Sequence, residues 1–216
     1  MNREDKYTLV REKILDWYKV NKRDFSWRNS KSPYKILITE ILLQKTIAIN
    51  VSNIYSDFFT KYKDFTTILN AQIIELQSDI KSLGLSNKRA NILKDLSRMI
   101  VNDYNGEIPH DPEILRKING IAEYVSNAFV CFGLNHRTLF FDVNIKRFIL
   151  RVFTLQDVKA KSETIYTELN KLLPRTDFKY LYWAILDFGY KICAKNNPKC
   201  ELCLISDNCF YYLNLS

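Results

Sequence analysis

Glycine is scarce in this chain, five in 216 residues, so it serves as punctuation and not as flexible filler. Long hydrophobic runs are missing as well. No apolar stretch reaches the roughly eighteen residues that span a bilayer; the longest, residues 36–43, is interrupted by Thr39 and Glu40, and no membrane partner is expected. Met1-Asn2-Arg3-Glu4-Asp5-Lys6 is polar, with no apolar segment behind it of the kind a secretory signal carries, which points to the cytoplasm. Period-two alternation is weak, so strands are not expected. There is no internal repeat and no low-complexity segment. Acidic residues are the minority, 24 against 32 Lys and Arg, for a net charge of +8. That surplus suits a polyanion, and nucleic acid is the common one.

What the chain does have is helical periodicity. Hydrophobic residues make up 47% of it, enough for a sizeable core, and nearly every long segment repeats near 3.6 residues. Val10, Ile14, Trp17 and Tyr18 share one face. Ser32-Pro33 reads as an N-cap followed by Pro at the first helical position, and Asp111-Pro112 repeats the signal. Val51, Ile54, Tyr55 and Phe58 mark a third helix, and a short one covers residues 73–83. Ile92, Leu93, Leu96, Met99 and Ile100 mark one over 88–104, and residues 123–132 another. Ile145, Phe148, Ile149 and Val152 follow Asp142, and two more helices lie near 160–172 and 178–192. Gly84, Gly106 and Gly133 stand where helix C′ residues stand, while Gly189, inside a helical segment, suggests close packing. The fold class is all-α, about ten helices with short connections.

Four cysteines near the end are spaced Cys193-x6-Cys200-x2-Cys203-x5-Cys209. Four thiolates that close in sequence can reach one centre, and they repel one another unless a cation or cluster neutralises them. Zinc ribbons show two CxxC pairs, and only one is present here, so the spacing favours a [4Fe–4S] cluster; zinc and disulfides are the alternatives. The fifth cysteine, Cys131, lies on an apolar face and reads as a core residue.

Three other places break local rules. Glu40 sits in a helix that is apolar almost all round; burial there favours the protonated acid and demands a partner or a function. Asp142 stands at a helix mouth, where free amides and the dipole favour an anion, although Asp is also an ordinary N-cap. One carboxyl suited to donate a proton and another suited to remain an anion is the division of labour that glycosidic cleavage uses. The third is Ile118-Asn119-Gly120-Ile121-Ala122, a hairpin between two helices whose backbone amides can hold a phosphate without reading a base; it also suits an ordinary helix–turn–helix corner.

Taken together, the chain resembles the helix-hairpin-helix DNA glycosylases that carry a [4Fe–4S] cluster, the HhH-GPD superfamily of endonuclease III and MutY, and within it the thymine mismatch glycosylases most of all. The likeness covers essentially the whole chain. It rests on Phe25-Ser26-Trp27-Arg28, on Pro33-Tyr34-Lys35-Ile36-Leu37-Ile38-Thr39-Glu40-Ile41-Leu42-Leu43, on Gly84-Leu85-Ser86-Asn87, on the 118–122 hairpin, on Asp142-Val143-Asn144-Ile145-Lys146-Arg147, and on the cysteine array. The resemblance implies two helical lobes around a DNA-binding cleft: residues 29–136 as a helical lobe carrying the hairpin, and 1–28 with 137–216 as the second, closed by the cluster loop 193–209. It implies a monomer acting on mismatched double-stranded DNA in the nucleoid of a prokaryote.

The same resemblance assigns roles. Asp142 is the catalytic aspartate and Glu40 the acid. Tyr124 stands where lyase-competent members have a Schiff-base lysine; a phenol, with an ordinary pKa of about 10, is a poor nucleophile at neutral pH, so the activity is monofunctional. Tyr124 also suits an aromatic lining of the cleft. A base inside a duplex must be flipped before it can be cut. Gln44 or Lys45 would fill the hole, Leu85, Ser86 and Asn87 would wedge from the other side, and amides around Gly120 and Ala122 would clamp a phosphate, with a monovalent cation at the hairpin. Lys146 and Arg147 would contact the DNA backbone or pair with acids. The expected substrates are T:G and U:G mispairs. Alternatives are adenine removal from A:G or A:8-oxoG, a non-catalytic Fe–S DNA-binding module, and a zinc-stabilised helical protein. The chain ends seven residues after Cys209, so no counterpart of MutY's 8-oxoguanine-recognising domain is expected, which counts against A:8-oxoG as the main substrate. Where the family hairpin usually reads Leu-Pro-Gly-Val-Gly, this chain lacks the proline and has Ala122 for the second glycine, which requires φ below zero there.

Overall fold

The structure, a computed structural model, describes residues 3–153 and 161–214. Among them every regular element is helical: α1 (Arg3–Asn21), α2 (Pro33–Leu42), α3 (Ala48–Lys61), α4 (Phe65–Asn70), α5 (Ile73–Asp79), α6 (Ser86–Asp103), α7 (Pro112–Arg116), α8 (Glu123–Phe132), α9 (Val143–Phe153), α10 (Ser162–Leu172), α11 (Phe178–Lys191) and α12 (Phe210–Leu213), with four short 3-10 turns. The chain divides into two compact units, Asp24–Thr138 and a second made of Met1–Arg23 with Leu139–Ser216. None of the described helices is long and apolar enough to cross a membrane.

The Asp24–Thr138 unit is built around α2. Ser32 caps it, its hydroxyl accepting the Lys35 amide with Pro33 at the first position, and Ile36, Leu37, Ile38, Ile41 and Leu42 are all buried. Helices α8, α6 and α3 pack on it. Only a helix surrounded on every side has use for such a sequence. Asp111 caps α7 through the Glu113 amide. Cys131 on α8 is fully buried, as its apolar neighbours imply.

The other unit places α1 against α11 and α10, with α9 between α11, α10 and α12. Tyr7, Val10, Ile14 and Tyr18 form the buried stripe of α1, while Trp17 lies edge-on to Phe188 at 5.1 Å. Ile145, Phe148, Ile149 and Val152 of α9 are all buried. The end of α1 is locked to α11 through Asp187, which is wholly buried and accepts the Arg23 amide at 2.8 Å and the Arg23 Nε at 2.6 Å.

Several expectations need correction. Two helices, α4 and α12, lie outside the expected ten, and the 73–83 segment stops at Asp79 before a 3-10 turn over Lys81–Leu83. Gly133 is right-handed, with φ −86 and ψ −40; it is required for space, since a Cβ there would come within 2.7 Å of the Phe129 ring. Gly84 and Gly106 do take positive φ, +73 and +85. At Gly189 a Cβ would stand 3.3 Å from the Arg147 guanidinium, the close packing anticipated.

Candidate functional site

Asp142 opens α9. The approach to it is anchored by Phe140, buried and stacked on Tyr182 with ring centres 4.1 Å apart, its amide donating to the Tyr182 hydroxyl at 3.3 Å. Asp142 Oδ1 accepts the backbone amides of Asn144 at 2.9 Å and Ile145 at 2.8 Å, and Oδ2 accepts Asn144 Nδ2 at 2.6 Å. Charge-assisted bonds of this kind fix the carboxylate's orientation as well as its position. The side chain is only half-buried, so the carboxylate is held rigidly and remains reachable.

A run of hydrogen bonds leads inward from there. Asn144 Oδ1 accepts Arg147 Nη1 at 3.1 Å; Arg147 Nε donates to the Cys193 carbonyl at 3.0 Å and its Nη2 to the Gly189 carbonyl at 3.1 Å. Arg147, expected to contact the DNA backbone or pair with acids, is here bonded to two backbone carbonyls and the Asn144 side chain. A guanidinium with a donor in each of these bonds is an internal tie. Lys146, beside it, is half-buried. Neither the role of Asn144 nor that of Arg147 carried a signal beyond the Asp-x-Asn spacing.

The four late cysteines line one small recess, partly open to solvent, together with Arg151, Phe188, Ile192 and Tyr211. None of them is in a disulfide. Burial pushes the Cys203 thiol up to about 11, with neighbouring thiols pushing the same way and the Ile205 amide offsetting part of it. Burial also raises Cys209, against the amides of Tyr212 and Tyr211, and raises Cys200. Arg151 Nη1 reaches Cys193 Sγ at 3.5 Å and the Ala194 carbonyl at 2.7 Å. Among the described residues no three His, Cys, Asp or Glu side chains are drawn together closely enough to hold a metal ion directly. The donor set itself, four thiols lining one recess with amides directed at two of them, fits a polynuclear sulfur-ligated group, whose own cations would offset the burial, and the smaller mutual repulsion, that raise these thiols.

In the Asp24–Thr138 unit, Glu40 is 6% exposed on α2 between Ile36 and Leu43, buried as its surroundings require. Tyr124, in the first turn of α8, is half-buried. The hairpin closes by the Ile121 amide donating to the Ile118 carbonyl at 3.0 Å. Gly120 has φ +103, and a Cβ there would lie 2.4 Å from Ile92 Cδ1. Ala122 takes φ −85, ψ 170 as the N-cap of α8, so alanine serves there without strain. Gln44 follows α2 and its Nε2 donates to the Gly120 carbonyl at 2.9 Å. Lys45 is exposed with φ +53, and Leu85 has φ +52 and is 55% exposed; Ser86 is half-buried and Asn87 exposed. Glu40, Tyr124, Gln44, the 84–87 loop and the hairpin thus belong to one unit, and Asp142, Lys146, Arg147 and the four cysteines to the other.

The sequence signature of the HhH-GPD superfamily of base excision DNA repair proteins matches residues 38–175, and the chain belongs to that superfamily. A thymine/uracil-DNA glycosylase of Methanothermobacter thermautotrophicus is 37% identical over 201 residues, 92% of this chain and 91% of that one. The solved structure of a thermostable thymine-DNA glycosylase superposes with a TM-score of 0.90 at 36% identity, covering 97% of each chain. An endonuclease III bound to DNA shares the fold, with a TM-score of 0.85 at 20% identity over 99% of this chain and 98% of its own.

Proposed function

We propose that this protein is a DNA glycosylase of base excision repair that flips thymine or uracil mispaired with guanine out of the duplex and hydrolyses its N-glycosidic bond. The observation that carries the reading is the Asp142 carboxylate, held by two backbone amides and the Asn144 side chain at the open mouth of α9. An anion so fixed suits the stabilisation of positive charge developing on the sugar as the base departs, or the orientation of the attacking water. Its acceptor bonds are already made, so no reorganisation is needed as that charge appears. The sequence likeness to glycosylases named for thymine and uracil supports the choice of base.

Glu40, buried on α2 at 6% exposure, is suited to carry a proton toward the leaving base. Tyr124 offers a phenol where a Schiff base would need an amine, so water is the nucleophile and the abasic strand is left uncut. A mispaired base loses less pairing on extrusion than a matched one, which favours mismatched duplex. Cys193, Cys200, Cys203 and Cys209 are suited to hold a [4Fe–4S] cluster, supported by their shared recess and the amides of Ile205, Tyr211 and Tyr212. When bound, that group would order the C-terminal loop and add charge near it; the hydrolysis belongs to the side chains.

The test is a panel of end-labelled duplexes carrying T:G, U:G, A:G, A:8-oxoG or a matched pair, scored by alkaline strand cleavage. Base release from T:G and U:G above the others is expected. Asp142→Asn should keep duplex binding while losing release by about 10²–10⁴-fold. Release from no mismatch by the wild-type protein sinks the reading.

A further inference from the structure

We infer that Arg89 is a positioning residue that sets the spacing of two loops entering the DNA duplex, residues 43–46 and 84–87; the inference rests on the glycosylase reading above. Arg89 is the fourth residue of α6 and is 3% exposed. Its guanidinium spreads over three carbonyls from separate places: Nε donates to Ile41 at 3.3 Å, Nη2 to Gln44 at 2.5 Å, and Nη1 to Gly84. Two of those carbonyls end α2 and begin the turn that presents Gln44 and Lys45. The third immediately precedes Leu85. A buried cation is expensive, and here the expense joins two turns forty residues apart in sequence.

Both turns have the marks of loops shaped for contact. Lys45 and Leu85 are each left-handed, at φ +53 and +52, an uncommon state for side chains of that size, and such strain gathers at ligand clamps. Leu85 combines that strain with 55% exposure. Apolar side chains placed in this way are what proteins insert between base steps to unstack them. Gln44 extends the tie, since its side chain reaches the Gly120 carbonyl of the hairpin at 2.9 Å. One side chain therefore fixes the probing turn and the wedge, while the hairpin keeps its own closure through the Ile121 amide and the Ile118 carbonyl. Lysine cannot replace it. An ammonium's three donors radiate from a single atom, whereas the planar fork delivers Nε, Nη1 and Nη2 each to its own carbonyl.

The experiment uses full-length Asp142→Asn protein, so that hydrolysis plays no part, with and without Arg89→Lys. A duplex carrying 2-aminopurine beside a T:G mismatch reports unstacking by its emission, and anisotropy on a matched duplex reports backbone binding. Melting temperature confirms that Arg89→Lys is folded. With Arg89 intact, saturating protein should raise the emission. With lysine the rise should fall at least fivefold, while matched-duplex affinity changes by less than threefold. An unchanged rise, a proportional loss of both signals, or no rise with Arg89 present would each overturn the inference. Base release by the wild-type protein is scored separately, so failure of the glycosylase reading is seen independently.

Discussion

Gly120 shows how much a single position can carry. Its φ of +103 is one that a side chain rarely adopts, a Cβ would meet Ile92 at 2.4 Å, and its carbonyl receives Gln44. Gly120→Ala should destabilise the protein by about 1–3 kcal/mol, measured by urea denaturation, and weaken duplex binding several-fold. Residues that violate a local rule were legible in the sequence. Glu40 in an apolar helix and the four crowded cysteines stood out because polar groups are costly where they were found. Arg89 did not, because an arginine in a helix ordinarily reads as solvated. Its signal was its register: positions 89, 93, 96 and 100 fall on one helical face, and all four are buried. The inward turn of Arg147 had no such signal, since its carbonyl partners at Gly189 and Cys193 lie more than forty residues away in sequence and only the fold brings them together.

Elements announced themselves where caps and stripes were complete. Helices α2 and α7 start at the Ser-Pro and Asp-Pro signals, and α9 buries each residue of its expected stripe. Helix α4, six residues long, is too short to display a period and is held by its cap instead. Asp64 Oδ1 accepts the Thr67 amide and the Thr67 hydroxyl, both at 2.7 Å. Those bonds hold the Asp64 carboxyl below the usual range. A carboxyl lowered by folding adds stability above its unfolded pKa, and loses that contribution as pH falls through its folded value. Asp64→Ala should therefore cost about 1 kcal/mol near neutrality, and its gap from the wild type should close below about pH 4, as thermal melts across pH would show. Between α1 and α11, Asp187→Ala removes the acceptor of two Arg23 bonds and should cost about 3 kcal/mol, read from denaturant midpoints at unchanged slope.

For the whole molecule, the charge of +8 makes a statement about solution behaviour. Each phosphate neutralised contributes about −0.9 to the slope of log affinity against log salt on duplex DNA. Binding to mismatched and to matched duplex should both fall by about tenfold or more between roughly 50 and 200 mM salt. A salt-independent affinity would contradict an electrostatic footprint. Anaerobically isolated protein should be brown and contain iron, and Cys203→Ser should lose both the colour and the iron and melt earlier.

The unit containing Asp142 and the thiols is assembled from two segments of the polypeptide, with Asp24–Thr138 inserted between them. On the ribosome this imposes an order of events. The inserted segment has the partners of its own unit once residue 138 has emerged, whereas α1, made earlier, must wait for α11, about 160 residues later. At roughly 5–20 residues per second that is on the order of 10–30 s, during which the greasy stripe of Tyr7, Val10, Ile14 and Tyr18 has nothing to cover it and is open to nascent-chain chaperones.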